Sequence, residues 1–378
     1  LVFDYVLTFT NGVASASMVL YNVESISVMA TDQAASGITT PAGYQLAVNV
    51  THAPANYYAV TGSGTQTAGT NQNITVTAYD AFNNQATTYS GDVAVTFSGA
   101  DPSPNTPNAA TNPTVQNKTG VATAFVTPTT ITFTNGVATR SMSLYNVETA
   151  NIAATAGSIT TPVITDYDYR LQIAVNHAAN SYFAITGNDT QTAGESQDIT
   201  LTMYDAYNNI ATNYAGVKSL TFSGANPSPN TPNAATNPTV NGTAFGSATS
   251  LNFVAGTVTT AMNLYKVETA LITATNGTQT ANTHKLSVDV SHATPNFMAI
   301  TGTGTQTAGF SQNITIKAYD AYNNLATGYD GVKSLIFSGA SVSPGYAPTA
   351  ATSPIVDGTA FGTPTELTFA SGVVTTSM

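Results

Sequence analysis

The feature that most constrains this chain is self-similarity: the same short words return about every 120 residues. Thr67-Ala68-Gly69 returns as Thr192-Ala193-Gly194 and as Thr307-Ala308-Gly309. Tyr79-Asp80-Ala81-Phe82-Asn83-Asn84 returns from Tyr204 to Asn209 and from Tyr319 to Asn324. Phe97-Ser98-Gly99-Ala100 returns at Phe222 and Phe337, and Tyr21-Asn22-Val23-Glu24 returns at Tyr145 and Tyr265. Solenoid coils repeat every 20 to 50 residues or so, and the longer period here is the size of one independent β-sandwich domain.

Within a repeat the apolar residues alternate, as in Asn73-Ile74-Thr75-Val76-Thr77-Ala78-Tyr79 and Val93-Ala94-Val95-Thr96-Phe97. Period two is the signature of a half-buried strand, and no stretch carries a helical period. Thr130 to Thr134 runs into Asn135-Gly136, and Val137 to Tyr145 runs out again. Asn-Gly between two alternating runs predicts a tight hairpin, because both residues tolerate positive φ. Asn11-Gly12, Ala255-Gly256 and Ser371-Gly372 hold the same place in the other copies. The expected fold is all-β: tandem immunoglobulin-like antiparallel β-sandwiches, each of seven or more short strands.

Two complete repeats fit, at 54–178 and 179–293, with the last strands of another at 1–53 and the first strands of a fourth at 294–378. Phe361 to Met378 aligns with Leu1 to Met18, so the two outer pieces together make one repeat. The chain therefore reads as a window on a periodic object. Either the polypeptide continues past Met378, the preferred reading, or subunits complete one another by strand donation. Both make the chain its own partner, head to tail in an open-ended filament.

Composition removes several function classes. Eight Lys and Arg against 19 Asp and Glu cannot supply the basic stripe that nucleic acid needs. There is no Cys, hence no disulfide or thiolate site, and no run of about 18 apolar residues to span a membrane. The 67 Thr and 29 Ser take the place of charge, which suits pleated, half-exposed faces. Apolar residues make up 42%, enough for several cores, so the chain is not disordered.

The run Thr67-Ala68-Gly69, then Ile74-Thr75-Val76-Thr77-Ala78, then Tyr79-Asp80-Ala81-Phe82-Asn83-Asn84 resembles the bacterial immunoglobulin-like repeats of cell-surface proteins. Invasin- and intimin-type stalks are the best-known of that family. There the segment is strand B followed by an Asp…Gly-Asn turn; here Asn83-Asn84 replaces Gly-Asn, and Asn tolerates the left-handed conformation. The resemblance implies an extended rod on or outside the cell. The family supplies stalks, adhesins, surface-layer parts and enzyme spacers alike, so it specifies fold better than partner.

Candidate sites are few. Asp80, Asp205 and Asp320, each beside an Asn pair, are weak Ca²⁺ candidates. Their simpler reading is an Asx turn closing on its own backbone, and no cofactor is expected. Glu24, Glu148 and Glu268 read as solvated strand-end carboxylates; pairing them with the recurrent Asp as a glycosidase dyad fails for want of a cleft, and no enzyme activity is expected. His52, His177 and His292 fall where one repeat meets the next and read as inter-domain joint residues, since no Cys or second recurrent His could help hold a metal. The loop with Pro102, Pro104, Pro107 and Pro113 recurs with Pro227, Pro229, Pro232 and Pro238 and reads as an assembly contact. Asn49, Asn73, Asn117, Asn188, Asn241, Asn276 and Asn313 stand in glycosylation sequons. The expected role is a structural filament, stalk or surface layer outside the cell. The alternative is an adhesin for glycans or other surface components, or a spacer in a large extracellular enzyme.

Overall fold

The computed structural model of the chain describes residues 6–32, 37–164 and 167–378, and its regular elements are all strands. Contacts divide it into two compact units, residues 1–178 with 207–209, and residues 179–206 with 210–378.

In the first unit, β1 (Ser25–Val28) and β2 (Leu46–Asn49) form a separate antiparallel pair. A sandwich follows: β3 (Tyr57–Thr61), β4 (Thr65–Thr67), β5 (Asn71–Tyr79), β6 (Gly91–Ser98), β7 (Thr114–Gln116), β8 (Ala122–Ala124), β9 (Thr129–Phe133), β10 (Val137–Ser143), β11 (Thr149–Ala156), β12 (Ile159–Thr160), β13 (Val163–Ile164), β14 (Tyr167–Asp168) and β15 (Leu171–Asn176). One sheet runs β3-β5-β10-β7-β8 and the other β4-β15-β11-β6-β9, with β12 bridging β11 and β3. Ile74, Val76 and Met142 from the first sheet meet Phe97, Phe133, Ile152 and Ile173 from the second in one buried core.

The second unit repeats the plan with β16 (Asn180–Thr186), β17 (Thr190–Thr192), β18 (Ser196–Asp205), β19 (Gly216–Ser223), β20 (Thr239–Val240), β21 (Thr243–Ala244), β22 (Ala248–Phe253), β23 (Thr257–Asn263), β24 (Thr269–Thr275) and β25 (Leu286–Ser291). Its sheets run β16-β18-β23-β20-β21 and β17-β25-β24-β19-β22 over a core that includes Phe183, Ile199, Met203, Phe222, Phe253 and Ile272. Beyond it lie β26 (Phe297–Thr301), β27 (Asn313–Tyr319), β28 (Gly331–Ile336), β29 (Ile355–Val356), β30 (Thr359–Ala360), β31 (Pro364–Phe369) and β32 (Val373–Ser377). These pair as β26-β27-β32, β28-β31 and β29-β30, around Ile314, Phe337 and Phe369.

The core recurs in register because period two fixes which side chains point in. Ile74, Ile199 and Ile314 are buried, as are Phe97, Phe222 and Phe337. Each such side chain contributes about 1.5–3 kcal/mol through burial. On β5 the buried Ile74, Val76 and Ala78 alternate with Asn73, Thr75 and Thr77 on the open face. There Thr75 meets Thr139 on β10 with their hydroxyls 3.1 Å apart, a cross-strand pair of the kind that stabilises sheets.

Two local expectations change. The Asn-Gly turn forms as the sequence predicts, with φ of 51° at Asn135 and 80° at Gly136. It closes only the Thr134–Val137 bridge, however, and no hairpin follows. β9 pairs with β6, and β10 pairs with β5 in the opposite sheet. Both strands must bring apolar residues (Ile131 and Phe133, Ala138 and Met142) to one core, which they do by covering it from two sides. The sandwiches are also not wholly antiparallel. β4 lies parallel to β15, and β17 parallel to β25, so the edge strand near the start of each complete repeat flanks its last strand.

Candidate functional site

The recurrent Tyr-Asp-Ala-aromatic-Asn-Asn loop follows β5, β18 and β27, and its geometry is clearest in the second unit. Asp320 is fully buried. Its Oδ1 accepts the Tyr322 and Asn324 amides at 2.8 and 2.9 Å. Its Oδ2 accepts the Ala293 amide at 2.9 Å and Asn324 Nδ2 at 2.8 Å. Asp80 is held the same way by Phe82, Asn84 and Ala53. Burial pushes the Asp80 carboxyl up, but the hydrogen bonds from the Asn84 side chain and from the Asn84, Ala53 and Phe82 amides outweigh it and hold it below its ordinary value. With two donors on each oxygen, these carboxylates are Asx clamps with their lone pairs already engaged. Among the described residues no group of three or more His, Asp or Glu gathers into a metal-binding cluster.

The clamp aims the two Asn side chains at the preceding repeat. Asn324 Nδ2 donates to Tyr265 O at 2.8 Å and its Oδ1 accepts the Val267 amide at 2.9 Å. Asn323, held at φ 67°, donates from Nδ2 to Pro229 O at 2.7 Å and Asn233 O at 2.9 Å, while its Oδ1 accepts the Asn233 amide. Tyr322 packs on Tyr265 with ring centroids 4.9 Å apart. Its hydroxyl lies over Gly194, where a Cβ would stand 2.1 Å away, so only glycine fits beneath it. Buried amides with every polar atom paired are costly to pull apart singly, which makes the contact rigid as well as specific.

In the first unit Asn84 donates to Tyr21 O at 2.8 Å and accepts the Val23 amide at 3.1 Å, with Phe82 against Tyr21. Tyr207–Asn209, which group with the first unit, repeat the pattern. Asn209 bonds Tyr145 O and the Val147 amide, and Asn208 donates to Pro104 O and Asn108 O. In the sequence Asn83-Asn84 reads as a local turn, and the turn pattern alone does not disclose this reach. The signal was the Tyr21-Asn22-Val23 word, whose copies supply the backbone that the second Asn grips.

His292 Nε2 accepts the Gly328 amide at 3.0 Å, which leaves Nδ1–H to donate to Ala293 O at 2.7 Å. His52 does the same with Thr88 and Ala53, and His177 Nδ1 bonds Ala178 O at 2.7 Å. The Pro-rich loops close on themselves: the Ser228 amide donates to Thr236 O and the Thr236 amide to Ser228 Oγ, and Ser103 with Thr111 does likewise. Pro107 and Pro232 follow cis peptides, and Pro113 O and Pro238 O accept the Phe125 and Phe245 amides. Pro102 and Pro227 open the two loops.

The expectation of solvated Glu residues is corrected for two of three. Glu24 is exposed, but Glu148 and Glu268 are half-buried because each receives the start of a Pro-rich loop. Glu148 accepts the Asp101 amide at 2.9 Å, and Glu268 accepts the Asn226 amide at 2.7 Å, the Asn226 side chain at 2.8 Å and Lys266 at 3.0 Å. Of the sequon residues, Asn49, Asn73, Asn188, Asn241 and Asn313 are exposed. Asn117 is used in a turn to Thr119 and Val121, and Asn276 donates to Tyr214 and Gln279.

No family model and no curated protein matches this chain. Among solved structures it is similar to invasin, a bacterial integrin-binding protein, at 11% identity over 85% of this chain and 54% of that one, TM-score 0.32. It is similar to domains 4–9 of the surface layer protein SbsC at 15% identity over 79% and 42% of the two chains, TM-score 0.23. A β-glycosidase from Bacteroides vulgatus is 13% identical over 62% of this chain and 25% of its own, TM-score 0.24. The chain thus spans about half of invasin and less of the other two. An integrin-binding protein, a surface layer protein and a glycosidase share this likeness, and at these TM-scores it carries no functional argument; the fold rests on the pairings and cores above. Among the described residues no helix is long and apolar enough to cross a membrane.

Proposed function

We propose that this chain is a structural segment of an extracellular stalk, filament or surface layer, with cohesion between repeats as its task and no catalytic role. The observation that carries this reading is the clamped Asn side chain, which bonds the backbone of the preceding repeat at Asn84, Asn209 and Asn324 alike. A flexible linker needs no such device, and a binding site need not recur in every copy. The chain's own kind is the partner in this reading, head to tail, with no cofactor.

Spin labels placed across the joint of the second unit test it, and the absence of native Cys makes labelling clean. Labels at Ser287→Cys and Ser311→Cys should give a narrow distance distribution that broadens in Asn323→Ala/Asn324→Ala while the melting of the sandwiches is kept. A broad distribution in the parent chain overturns the proposal. Saturable binding of one glycan by the parent chain would favour the adhesin reading.

A further inference from the structure

We propose that β22 is a self-pairing edge, through which two copies of this chain associate side by side in an antiparallel strand pair. This goes beyond head-to-tail cohesion. β9, β22 and β31 occupy the same edge of their sheets, in register opposite Ala94, Ser219 and Ser334 respectively. An uncovered edge is a template for another strand, and proteins blunt such edges with covering loops, proline or charge.

Two of the three edges carry those devices. On β9 the loop after β7 folds over, and the Lys118 amide donates to Thr130 O at 2.8 Å. Lys118 also reaches Asp92, whose other oxygen takes the Thr132 hydroxyl. On β31 the place of Thr130 is taken by Glu366, and the strand opens with Pro364, which has no N–H to give. β22 has neither. Its counterpart of the Lys118 loop is shortened to the Asn241-Gly242 turn, whose Asn241 amide turns to Ala261 O instead. Among the described residues no backbone group outside β19 bonds β22.

The register identifies the free groups. Thr130 O faces outward, so the main chains of Ser250 and, two residues either side, Ala248 and Asn252 face outward too. Their side chains are exposed, small and uncharged, while Thr249, Leu251 and Phe253 are buried in the sandwich. A second copy fits this edge. Antiparallel pairing centred on Ser250 sets Ala248 against Asn252 and brings no charge to charge, although the chain as a whole carries −11. Val217, paired with Asn252 on β19, is 71% exposed and extends an apolar surface beside the seam. One pair of six-residue edges makes a weak contact; an array multiplies it through effective concentration.

The Cys-free chain allows a direct test with an internal control. About the proposed axis Ser250 lies opposite its own mate, with Cα atoms about 5.5 Å apart, inside the roughly 4.4–6.8 Å range of a disulfide. Under mild oxidation Ser250→Cys should form a covalent dimer at least about tenfold faster than Thr130→Cys on the covered edge. Ser250→Lys should abolish association of the parent chain in sedimentation while its melting temperature is kept. Equal cross-linking of the two Cys variants, or a parent chain that stays monomeric at the highest concentration reached, overturns the proposal. Either result leaves the joint reading standing, because its test reads a distance within one chain.

Discussion

The two complete sandwiches have the same core and differ at their margins. Phe97 and Phe222 are equally buried, and so are Ile152 and Ile272. At the loop that Glu148 and Glu268 receive, however, the first unit has Asp101 where the second has Asn226. Burial raises the pKa of Glu148, and the Asp101 carboxylate adds to it. Burial also pushes Glu268 up, but the Asn226 hydrogen bonds and Lys266 reverse the sign and lower it. The bridge that β12 makes between the first unit's sheets is matched in the second by Thr280, which pairs with Thr275 and accepts the Phe183 amide, but the loop that covers β9 has no counterpart over β22. The core and the clamp depend on every residue in register, while the margins only need compatible neighbours, so the margins are where copies diverge.

The equal cores should break equally. Phe97→Ala and Phe222→Ala should each cost about 3–5 kcal/mol, read by denaturant unfolding, since each leaves a cavity among residues that cannot collapse into it. A difference above about 1 kcal/mol would mean that the loop over β9 supports the first core as well as covering its edge. The clamps come next. Asp80→Ala and Asp320→Ala should each cost about 2–4 kcal/mol, because buried amides lose their acceptor. The lowered pKa of Asp80 sets a pH dependence as well: its contribution is complete above the unfolded value near 3.9 and is lost as pH falls through the lower folded value. Acid titration of the parent chain against Asp80→Asn reads this directly.

Smaller effects sharpen the contrast at the margins. The raised pKa of Glu148 has the opposite sign, so its contribution is full below the unfolded value near 4.3 and declines as pH rises through the folded one. Asp101→Asn should therefore stabilise the first unit at neutral pH by at most about 0.5 kcal/mol, and little at pH 3. Ala255 sits at φ 46° where Asn135 sits at 51° in the other copy, and Ala255→Asn should raise stability by about 0.5 kcal/mol in thermal melts. Removing divalent cations should shift melting by less than about 1 °C, because the Asp oxygens already have their donors.

Much of this was legible in the sequence where the cause is local. Alternation placed Ile74, Phe97 and Phe133 inward, and Asp80 with Asn84 announced an Asx turn. What could not be read was whatever depends on a distant partner. The split of β9 and β10 into opposite sheets follows from β6 and β5 competing for them, and the turn between them does not record it. Glu148 looks solvated until the start of the Pro-rich loop arrives over it. Asn84 looks like a turn residue until the Tyr21-Asn22-Val23 backbone lies beside it.

The parallel edge of each complete sandwich bears on tension. Asp189 O and Ser291 O accept amides from Asp289 and Ala193 across β17 and β25, and Gly64 O and Asn176 O accept amides from Ala174 and Ala68 across β4 and β15. A pull along the chain draws these paired strands in opposite directions along their own axes. The bonds between them are then strained together and must yield as a group. An antiparallel hairpin pulled from its open end gives way one rung at a time.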